Sequence, residues 1–323
     1  MQKNLWQKLP KPFLVLAPME DVTDIVFRHM IMRTGRPAVF FTEFTSTDAM
    51  FSKGSPYANR RLVFSKDEGP IIAQIWGNNP GNYLKAAKLL VEMGFDGIDI
   101  NMGCPDRSIV KHGCCGALIN NPNLAKEIIQ ATKEGAGTLP VSVKTRIGFK
   151  TIQTETWLTH LLQQDITALT IHGRTVSEQS KVPAHWDEIA KAVKIRNDLN
   201  KKTIIIGNGD VQSREEALEK HKIYGVDGIM IGRGIFHNPW LFNQEVNISD
   251  IPTNEKLQLL VDHIQLFTDT WGEKKPFEMM KKFYKIYISE IPNAHNFRME
   301  LMELKTPEET IAWIKKKIDV IVS

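Results

Sequence analysis

Eight short apolar runs recur along the first three-quarters of the chain. Each run is rich in Val, Ile, Leu or Phe and shows little alternation of polar and apolar positions, which is typical of parallel strands covered on both faces. The runs are Leu14–Met19, Val39–Phe44, Ile71–Gly77, Gly97–Gly103, Val141–Gly148, Ala168–Arg174, Thr203–Gly209 and Gly228–Gly234. This pattern predicts eight β-strands.

Segments with helical periodicity separate most of these runs. Apolar residues recur at helical spacing in Tyr83–Met93, Asn123–Gly135 and Arg214–Tyr224, and Gly94 and Gly225 follow as stop signals. A strand–helix unit repeated over about 240 residues predicts an α/β fold, the (β/α)8 TIM barrel. The alternative is a doubly wound sheet, which usually has a glycine-rich turn after its first strand. The sequence LVLAPMEDVTD has no glycine there.

The pattern changes in the last quarter of the chain. Helical periodicity continues in Glu255–Trp271, Phe277–Ile288 and Thr306–Ile321, and the last segment begins with a capping threonine and a proline in its first turn. We therefore predict a catalytic barrel at residues 1–245 and a small helical domain at residues 246–323.

Unusual polar residues stand near the ends of the apolar runs. They are Glu43, Gln74, Asn101, Lys144, His172, Asn208 and Arg233. A buried strand has little reason to carry polar groups unless they face a site or a satisfied network. Active sites of TIM barrels lie at the carboxyl ends of the strands. We therefore expect these residues to surround a functional site.

The seventh and eighth runs end in glycine-rich turns. These turns read Gly207-Asn208-Gly209-Asp210 and Gly232-Arg233-Gly234. Backbone amides at glycine approach an anion closely, and arginine pairs with phosphate oxygens. The loops after strands seven and eight commonly hold a phosphate in this fold. The turns therefore predict a phosphorylated cofactor or substrate without identifying it.

Lys144, in the sequence VSVKTRIG, has three interpretations. It could form a Schiff base, neutralise an anion such as a reduced flavin, or pair with a buried carboxylate. His172 and Arg174 end the sixth run and could hold a phosphate or the carbonyl of a planar ligand. Gln74 both donates and accepts, which suits the edge of a pyrimidine-like ring. Spacing does not choose among these roles.

Cys104 follows the fourth run in the tight sequence NMGCP. A thiol presented by such a loop could be a nucleophile, a metal ligand or a proton donor. Cys114 and Cys115 lie close by, but the three cysteines lack the spacing of zinc sites, so no metal is expected. Their proximity also makes a poor disulfide framework, which indicates a reducing cytosol.

Charge and hydropathy narrow the function only slightly. The 41 Lys and Arg residues against 37 Asp and Glu give a net charge of +4, which neither indicates nor excludes a nucleic-acid partner. An apolar run of about 18 residues, as a membrane span needs, is absent from the sequence. We expect a cytoplasmic monomer.

Taken together, the motifs resemble those of the tRNA-dihydrouridine synthases, flavoenzymes that reduce uridine in tRNA. In chain order they are LAPMEDVTD, AQIWG, DINMGCP, KHGCCGALI, VKTRIG, IHGRT, GNGDV and GIMIGRG. The resemblance covers the barrel, and the C-terminal helices look like the RNA-binding domain of that family. It implies a TIM-barrel flavoprotein with tRNA as its partner.

The resemblance also implies roles for individual residues. Pro18 and Met19 would lie against the FMN ring. Gln74 and Lys144 would contact its polar edge, and His172 would help to hold the cofactor. Residues at the phosphate end of FMN would be Asn208, Gly209, Asp210, Gly232 and Arg233. Residues that contact the substrate would be Asn101 and Arg174. Other predicted tRNA contacts are Lys111, Lys181 and the lysines of residues 274–285.

The reaction implied by the resemblance transfers a hydride from reduced FMN to C6 of uracil. Cys104 would donate the proton to C5, and NADPH or NADH would reduce the FMN again. Since the thiol must keep its proton until transfer, we expect the pKa of Cys104 not to be strongly lowered.

Two features depart from the family pattern. A tyrosine that is common shortly after the HGRT sequence is absent here, and Cys114 and Cys115 stand where small residues, often glycine, are usual.

Three alternative functions remain: an FMN barrel oxidoreductase for a small molecule, similar to dihydroorotate dehydrogenase; a Schiff-base lyase that uses Lys144; and a non-catalytic RNA-binding module. The helical tail and the basic barrel favour the tRNA enzyme, because a small substrate needs neither.

Overall fold

The computed structural model describes residues 4–288, 291 and 293–322. Its internal contacts divide the chain into two compact units. The first unit comprises residues 37–232 and the residues before 24, and the second comprises residues 24–36 and the residues after 232. The predicted division of function at residue 245 stays a prediction.

The first unit is built on a sheet of eight strands, as predicted. The strands are β1 (Phe13–Leu16), β2 (Phe40–Ser46), β3 (Ile71–Trp76), β4 (Gly97–Met102), β5 (Val141–Arg146), β6 (Ala168–His172), β7 (Ile204–Asn208) and β8 (Gly228–Ile231). Hydrogen-bonded neighbours follow the order β1-β8-β7-β6-β5-β4-β3-β2, and the recorded pairings are parallel. Between β1 and β2 the Ala38 amide donates to the Leu14 carbonyl over 2.8 Å. The sheet therefore curls round as in a TIM barrel.

Several strands are shorter than the apolar runs that predicted them. The fifth run extends to Gly148, but β5 ends at Arg146, and the sixth extends to Arg174, but β6 ends at His172. The chain leaves the sheet at these residues, so their polar side chains stand at the carboxyl rim of the barrel.

Apolar side chains from six of the strands fill the barrel interior. Trp6, which is fully buried, packs its ring 6.0 Å from that of Phe13 and 6.2 Å from that of Phe41. Because Phe13 begins β1 and Phe41 lies near the start of β2, Trp6 closes the amino end of the barrel. Burial of apolar area stabilises a fold by about 25 cal/mol per Å². The closed amino end leaves the carboxyl end for the site.

Helices separate the strands and continue after the last one. They are α1 (Leu5–Lys8), α2 (Ile25–Thr34), α3 (Thr47–Met50), α4 (Ser55–Arg60), α5 (Pro80–Met93), α6 (Arg107–Val110), α7 (Pro122–Ala136), α8 (Thr154–Leu162), α9 (Trp186–Asp198), α10 (Arg214–Tyr224), α11 (Thr253–Trp271), α12 (Tyr284–Ile288), α13 (Ala294–Glu303) and α14 (Pro307–Val322). Local signals set many of these ends. In α5 the Asn79 side chain caps the first turn, Pro80 begins the helix and Gly94 ends it in the left-handed conformation.

The second unit is helical, as the last quarter of the sequence predicted. It contains α2 and α11 to α14. The Asp24 side chain caps α2 and accepts hydrogen bonds from Trp271 Nε1 over 2.9 Å and from Lys275 Nζ over 2.8 Å. The ring of Phe27 stacks on that of Phe283, with 5.2 Å between centroids. These contacts hold α2 against elements that lie more than 200 residues later in the chain.

One predicted helix of the second unit differs in form. Phe277–Ile288 has helical periodicity, but Phe277–Phe283 is a 3₁₀-helix and only Tyr284–Ile288 is an α-helix. The tighter 3₁₀ turn places residues three apart on one face, and Met280 and Phe283 are both buried there. Among the described residues of the chain, no helix is long and apolar enough to cross a membrane.

Candidate active site

Four of the polar residues predicted at strand ends of the first unit stand opposite one another on neighbouring strands. Asn101 on β4 pairs with Lys144 on β5, and His172 on β6 pairs with Asn208 on β7. These positions are at the carboxyl ends of the strands, where active sites of this fold lie. The structure therefore brings them to one rim.

A chain of hydrogen bonds connects this rim to the turn that carries Cys104. Ser142 Oγ donates to Asp99 Oδ1 over 2.6 Å, and Gln74 Nε2 donates to Asp99 Oδ2 over 2.7 Å. Asn101 Nδ2 donates to Gln74 Oε1 over 3.0 Å, and Asn101 Oδ1 accepts from the Cys104 amide over 3.0 Å. Because a carboxylate only accepts, this chain fixes the orientation of both side-chain amides.

Asp99 is a buried carboxyl group that the sequence analysis did not single out. Burial raises its pKa to about 6, while hydrogen bonds from Ser142 and Gln74 and the charge of Lys144 oppose the rise. Its position in the run GIDINMG carried a signal, because an acidic residue inside an apolar strand needs partners.

The thiol of Cys104 has a lowered pKa. The pKa is about 7, chiefly because Cys115 donates a hydrogen bond to the Cys104 sulfur; the charge of Arg146 contributes, and burial opposes. This lowering is larger than we expected from the sequence. About half of the thiol keeps its proton near neutral pH, and general acids work best with a pKa close to the working pH.

Cys115 is held against Cys104 by its loop. Its side chain is fully buried and its backbone has a φ of +53°, an uncommon value for a residue with a side chain. The next amide, of Gly116, donates to the Cys104 carbonyl over 3.2 Å, and a Cβ at Gly116 would lie 2.7 Å from Val176 Cγ2. Burial raises the pKa of Cys115 well above its ordinary value, so Cys115 remains a donor.

Arg146 joins two loops beside the thiol. It ends β5, is buried, and donates from Nε to the Gly103 carbonyl over 2.8 Å. Its Nη1 donates to the carbonyls of Thr175 over 3.0 Å and Gln179 over 3.1 Å. The guanidinium therefore holds the loops after β4 and β6 together and supplies positive charge near Cys104.

Lys144 on β5 contacts the end of β7. Its Nζ donates to Asn208 Oδ1 over 3.3 Å, and Asn208 Nδ2 donates to the Met230 carbonyl over 2.8 Å. Burial and, to a smaller extent, the charge of Arg146 lower the pKa of Lys144 to about 8, while the charge of Asp99 opposes this shift. An anion bound beside Lys144 would favour its charged form.

His172 is held by a buried arginine. Arg174 donates to His172 Nε2 over 3.2 Å and to the Val182 carbonyl over 2.5 Å, and it forms an ion pair with Asp210. Asp210 also accepts from the Ala184 amide over 2.9 Å. Because Arg174 is only 3% exposed, its donors point at protein groups. It orients His172, and its predicted contact with the substrate stays a prediction.

The turn after β7 approaches its neighbours closely. A Cβ at Gly207 would lie 2.5 Å from the Trp186 ring, and Trp186 Nε1 donates to the Gly209 carbonyl over 3.0 Å. Gly209 has a φ of +135°, and a Cβ there would lie 2.6 Å from that of Ala184. Both positions therefore require glycine, whatever this turn binds.

The remaining predicted cofactor residues follow β1 and β8. Pro18 is buried and Met19 is half-buried, just beyond the end of β1. A Cβ at Gly232 would lie 3.9 Å from Met19 Sδ, so the turn after β8 faces the segment after β1. Arg233 is exposed and begins the second unit with a 3₁₀-helix.

Three carboxylates also lie together at this rim. Glu20, Asp21 and Glu43 each place one ligand atom within 4.8 Å of the others. Arg61 forms an ion pair with Glu20, and the Asp21 amide donates to Glu43 Oε1 over 2.7 Å. Internal donors thus engage two of the three groups, and the expected absence of a metal stays a prediction.

The chain matches known proteins over almost its whole length. Residues 15–322 match the family model described as "Dihydrouridine synthase (Dus)". A protein of Staphylococcus aureus named "Probable tRNA-dihydrouridine synthase" is 46% identical over 97% of this chain and 95% of its own length. A protein of Bacillus subtilis named "Probable tRNA-dihydrouridine synthase 2" is 45% identical over 97% of this chain and 96% of its own length.

Solved structures with a similar fold are more distant in sequence. Morphinone reductase superposes with a TM-score of 0.53 at 12% identity, over 75% of this chain and 88% of its own. A homologue of old yellow enzyme from Zymomonas mobilis gives a TM-score of 0.50 at 16% identity, over 73% and 90% of the two chains. These likenesses support the TIM-barrel fold, and the sequence matches go further: the chain belongs to the dihydrouridine synthase family.

Proposed function

We propose that this chain reduces specific uridines of tRNA to 5,6-dihydrouridine, with FMN as its cofactor and NADPH or NADH as the reductant. The observation that carries the proposal is the Cys104 thiol, whose pKa of about 7 suits a general acid, on the same rim as Lys144 and His172. The relatives at 45–46% identity are named for tRNA, which favours this substrate over the small molecule of a dihydroorotate-dehydrogenase-like enzyme.

The residues of the rim suit a flavin. Lys144 offers positive charge, and the amides of Gln74 and Asn208 both donate and accept, which matches an edge of carbonyl oxygens and ring nitrogens. Gly209 and Gly232 have no side chain, so a phosphate can approach their backbone amides closely. In the full set that we propose, Pro18 and Met19 lie against the ring, Gln74 and Lys144 contact its polar edge, and His172 helps to hold the cofactor. The phosphate contacts are Asn208, Gly209, Asp210, Gly232 and Arg233.

When bound, the flavin supplies the hydride that adds to C6 of the uracil ring. Cys104 holds a proton on Sγ and delivers it to C5, so that one hydride and one proton add across the C5–C6 double bond. Asn101 contacts the uracil while its Oδ1 holds the Cys104 amide, 3.0 Å away. Lys144 stabilises negative charge on the cofactor side of the site.

The substrate must present its target base to this rim. A base stacked within a folded tRNA has to be extruded, at a cost of a few kcal/mol, and contacts between basic side chains and phosphates offset that cost. Lys111 and Lys181 are exposed in the loops after β4 and β6, which suits this role.

Three measurements test the proposal. The purified full-length chain is expected to absorb in the flavin bands, and with NADPH it is expected to convert uridine to dihydrouridine in an unmodified tRNA transcript, detected by mass spectrometry. The variant Cys104→Ala is expected to keep its flavin and lose most of its turnover. Cys114→Ala, which removes another thiol of the same loop, is the matched control and is expected to turn over normally.

Each outcome bears on a separate part of the proposal. A flavin-free protein that FMN does not reconstitute would overturn the cofactor assignment. Normal turnover by Cys104→Ala would remove Cys104 as the proton donor. A turnover of small uracil compounds that exceeds turnover of tRNA would favour the small-molecule alternative.

A further inference from the structure

One edge of the His172 ring packs against the turn that follows β7. In the sheet, His172 stands opposite Arg146 on β5 and Asn208 on β7. A Cβ at Gly209 would lie 3.3 Å from His172 Cδ2 and 3.6 Å from His172 Nε2, so this edge of the ring faces the turn. The hydrogen-bond partner of Nε2 is therefore a protein group.

That partner, Arg174, can only donate. Its Nη1 lies 3.2 Å from His172 Nε2 and forms a hydrogen bond with it. A guanidinium has five N–H donors and no acceptor, whereas a neutral imidazole has one N–H donor and one bare nitrogen that accepts. Nε2 is therefore the bare nitrogen, and the ring proton lies on Nδ1.

Other contacts hold the Arg174 guanidinium in this position. Its Nε donates to the Val182 carbonyl over 2.5 Å, and its Nη2 forms an ion pair with Asp210. Asp210 also accepts from the Ala184 amide over 2.9 Å. Because Arg174 is buried, moving it away from these groups would leave buried donors without partners, which is costly. The loops after β6 and β7 thus keep Nη1 aimed at the ring.

Charged and titratable side chains of three elements flank this contact. They are Lys144 and Arg146 on β5, Arg174, Glu178 and His185 after β6, and Asp210 after β7. Both carboxylates have partners: Asp210 pairs with Arg174, and Glu178 contacts His185 over 3.1 Å. A second proton on His172 would point an N–H at the N–H of Arg174, with the positive Arg146 opposite. The direct contact therefore favours the neutral ring.

We propose that Arg174 is a positioning residue that keeps His172 neutral, with its ring proton on Nδ1, so that Lys144, and not His172, offers the cofactor a positive charge. This inference rests on the proposed function, in which both side chains hold FMN. It gives Arg174, which the resemblance assigns to the substrate, a role toward another side chain. The contribution of His172 to cofactor binding then stays constant with pH, whereas that of Lys144 does not.

The test reads the protonation of the ring directly. The full-length chain, labelled with nitrogen-15 in its histidine rings, is studied by NMR between pH 8 and pH 5, with and without FMN. A nitrogen that carries a proton gives a signal well separated from that of a bare nitrogen, and His172→Gln identifies the signals of His172. The wild type is expected to show a protonated Nδ1 and a bare Nε2 throughout this range.

Two other histidines serve as references in the same spectrum. His221 Nδ1 contacts the Val226 carbonyl over 2.6 Å, and His160 Nε2 contacts the Pro122 carbonyl over 2.8 Å. Since a carbonyl only accepts, the proton of the neutral ring lies on Nδ1 in His221 and on Nε2 in His160. The spectrum of His172 is expected to resemble that of neutral His221.

Arg174→Met removes the donors and keeps an unbranched side chain. In this variant His172 is expected to take up a second proton with a pKa near the ordinary value of about 6.5. The charged ring attracts the anionic cofactor, so the ratio of the variant's Kd for FMN to that of the wild type is expected to fall about 5-fold between pH 7.5 and pH 5.5. The ratio cancels the titration of the FMN phosphate and of Lys144, which both proteins share.

The matched control is Arg196→Met. Arg196 also donates to a backbone carbonyl, that of Thr203 over 3.1 Å, and pairs with a carboxylate, that of Asp227 over 2.8 Å. It lies in the last turn of α9, away from His172 in the sequence and at the other end of the strands. The control is expected to leave the His172 signals and the pH dependence of the Kd ratio unchanged.

The outcomes separate this inference from the proposed function. A wild-type His172 that carries its proton on Nε2, or that titrates between pH 8 and pH 5, would overturn the inference, and this measurement needs no variant. A His172 that stays neutral in folded Arg174→Met would show that Arg174 does not control it. A constant Kd ratio, although His172 titrates in the variant, would overturn its place beside the cofactor. If FMN does not bind at all, the proposed function fails, while the spectrum of the FMN-free chain still decides the position of the proton.

Discussion

The Cys115 thiol donates a hydrogen bond to the sulfur of Cys104 and is the main cause of the lowered pKa of Cys104. Cys115 is itself fully buried, and its own pKa is raised well above the ordinary value, so its proton is retained across the physiological range. The proton affinity of the proposed general acid is therefore set by a second cysteine of the loop between β4 and α7.

Replacing Cys115 by alanine is expected to raise the pKa of Cys104 above about 7, because the donor is lost while burial still favours the neutral thiol. Since the acid acts in its protonated form, the decline of turnover at alkaline pH is expected to move to higher pH. The measurement is the rate of Cys104 alkylation by iodoacetamide as a function of pH, with Cys104→Ala as the blank.

Cys114→Ala is the control for this shift, because the recorded hydrogen bond of Cys114 goes to the His112 carbonyl, 3.7 Å away. An alkylation profile of Cys115→Ala that coincides with that of the wild type would contradict the role of Cys115.

The affinity of the apoprotein for FMN is expected to fall as pH rises through about 8, because the pKa of Lys144 is about 8 and the uncharged amine no longer attracts an anion. Lys144→Met is expected to bind FMN about 10-fold more weakly at pH 7, as for the loss of a charged hydrogen bond. Lys144→Arg keeps its charge above pH 8 and is expected to keep its affinity there. Fluorescence titration of flavin between pH 6 and 9 measures these differences, and parallel pH profiles for all three proteins would refute the prediction.

Gly209→Ala is expected to destabilise the first unit by about 2 kcal/mol or more, since it adds a steric clash to an unfavourable backbone conformation. The new Cβ would lie 2.6 Å from that of Ala184 at a φ of +135°. Gly94→Ala is the matched control, because Gly94 also has a positive φ, +86°, but nothing lies within 4 Å of its Cβ position. Chemical denaturation gives both values, and equal losses would show that the close approach to Ala184 costs nothing.

The stability of the second unit is expected to fall below pH 6.5. His263 is fully buried, and burial lowers its pKa from 6.5 to about 3. Its Nδ1 and the Tyr287 hydroxyl form a hydrogen bond over 2.8 Å. Between these pH values the unfolded chain binds a proton that the folded chain does not, so the free energy of unfolding falls by about 1.4 kcal/mol for each unit that the pH is lowered.

His263→Asn keeps a side chain that can donate to or accept from Tyr287, and it cannot titrate. It is expected to flatten this dependence, as measured by urea unfolding at several pH values between 4 and 7. A wild-type stability that does not change over this range would exclude His263 as an acid-sensitive group.

Local signals made most of the fold predictable. The bounds of α10 are those predicted, because Ser213 caps its first turn and Gly225 ends it in the left-handed conformation. Residues at strand ends were also predictable, because a polar residue such as Gln74 inside a buried apolar run must have a partner.

Residues whose partners lie far away in sequence were not predictable in this way. The sequence VKTRIG places Arg146 at a strand end but does not predict its partners. Its hydrogen bonds go to the carbonyls of Gly103, Thr175 and Gln179, and no local sequence pattern pairs these positions with it. The effect of Cys115 on Cys104 likewise depends on how one loop folds back on itself. In both cases the role of the side chain depends on tertiary contacts, which the periodicity of apolar residues in the sequence does not predict.

The discontinuity of the second unit has a consequence for how the protein is made. The helix α2 leaves the ribosome about 200 residues before α11 and the 3₁₀-helix of Phe277–Phe283, which bury Phe27 and engage Asp24. Until they are translated, Phe27 and Asp24 lack these partners, so the nascent chain exposes the ring of Phe27. A gene fragment that stops after β8 would lack these partners altogether.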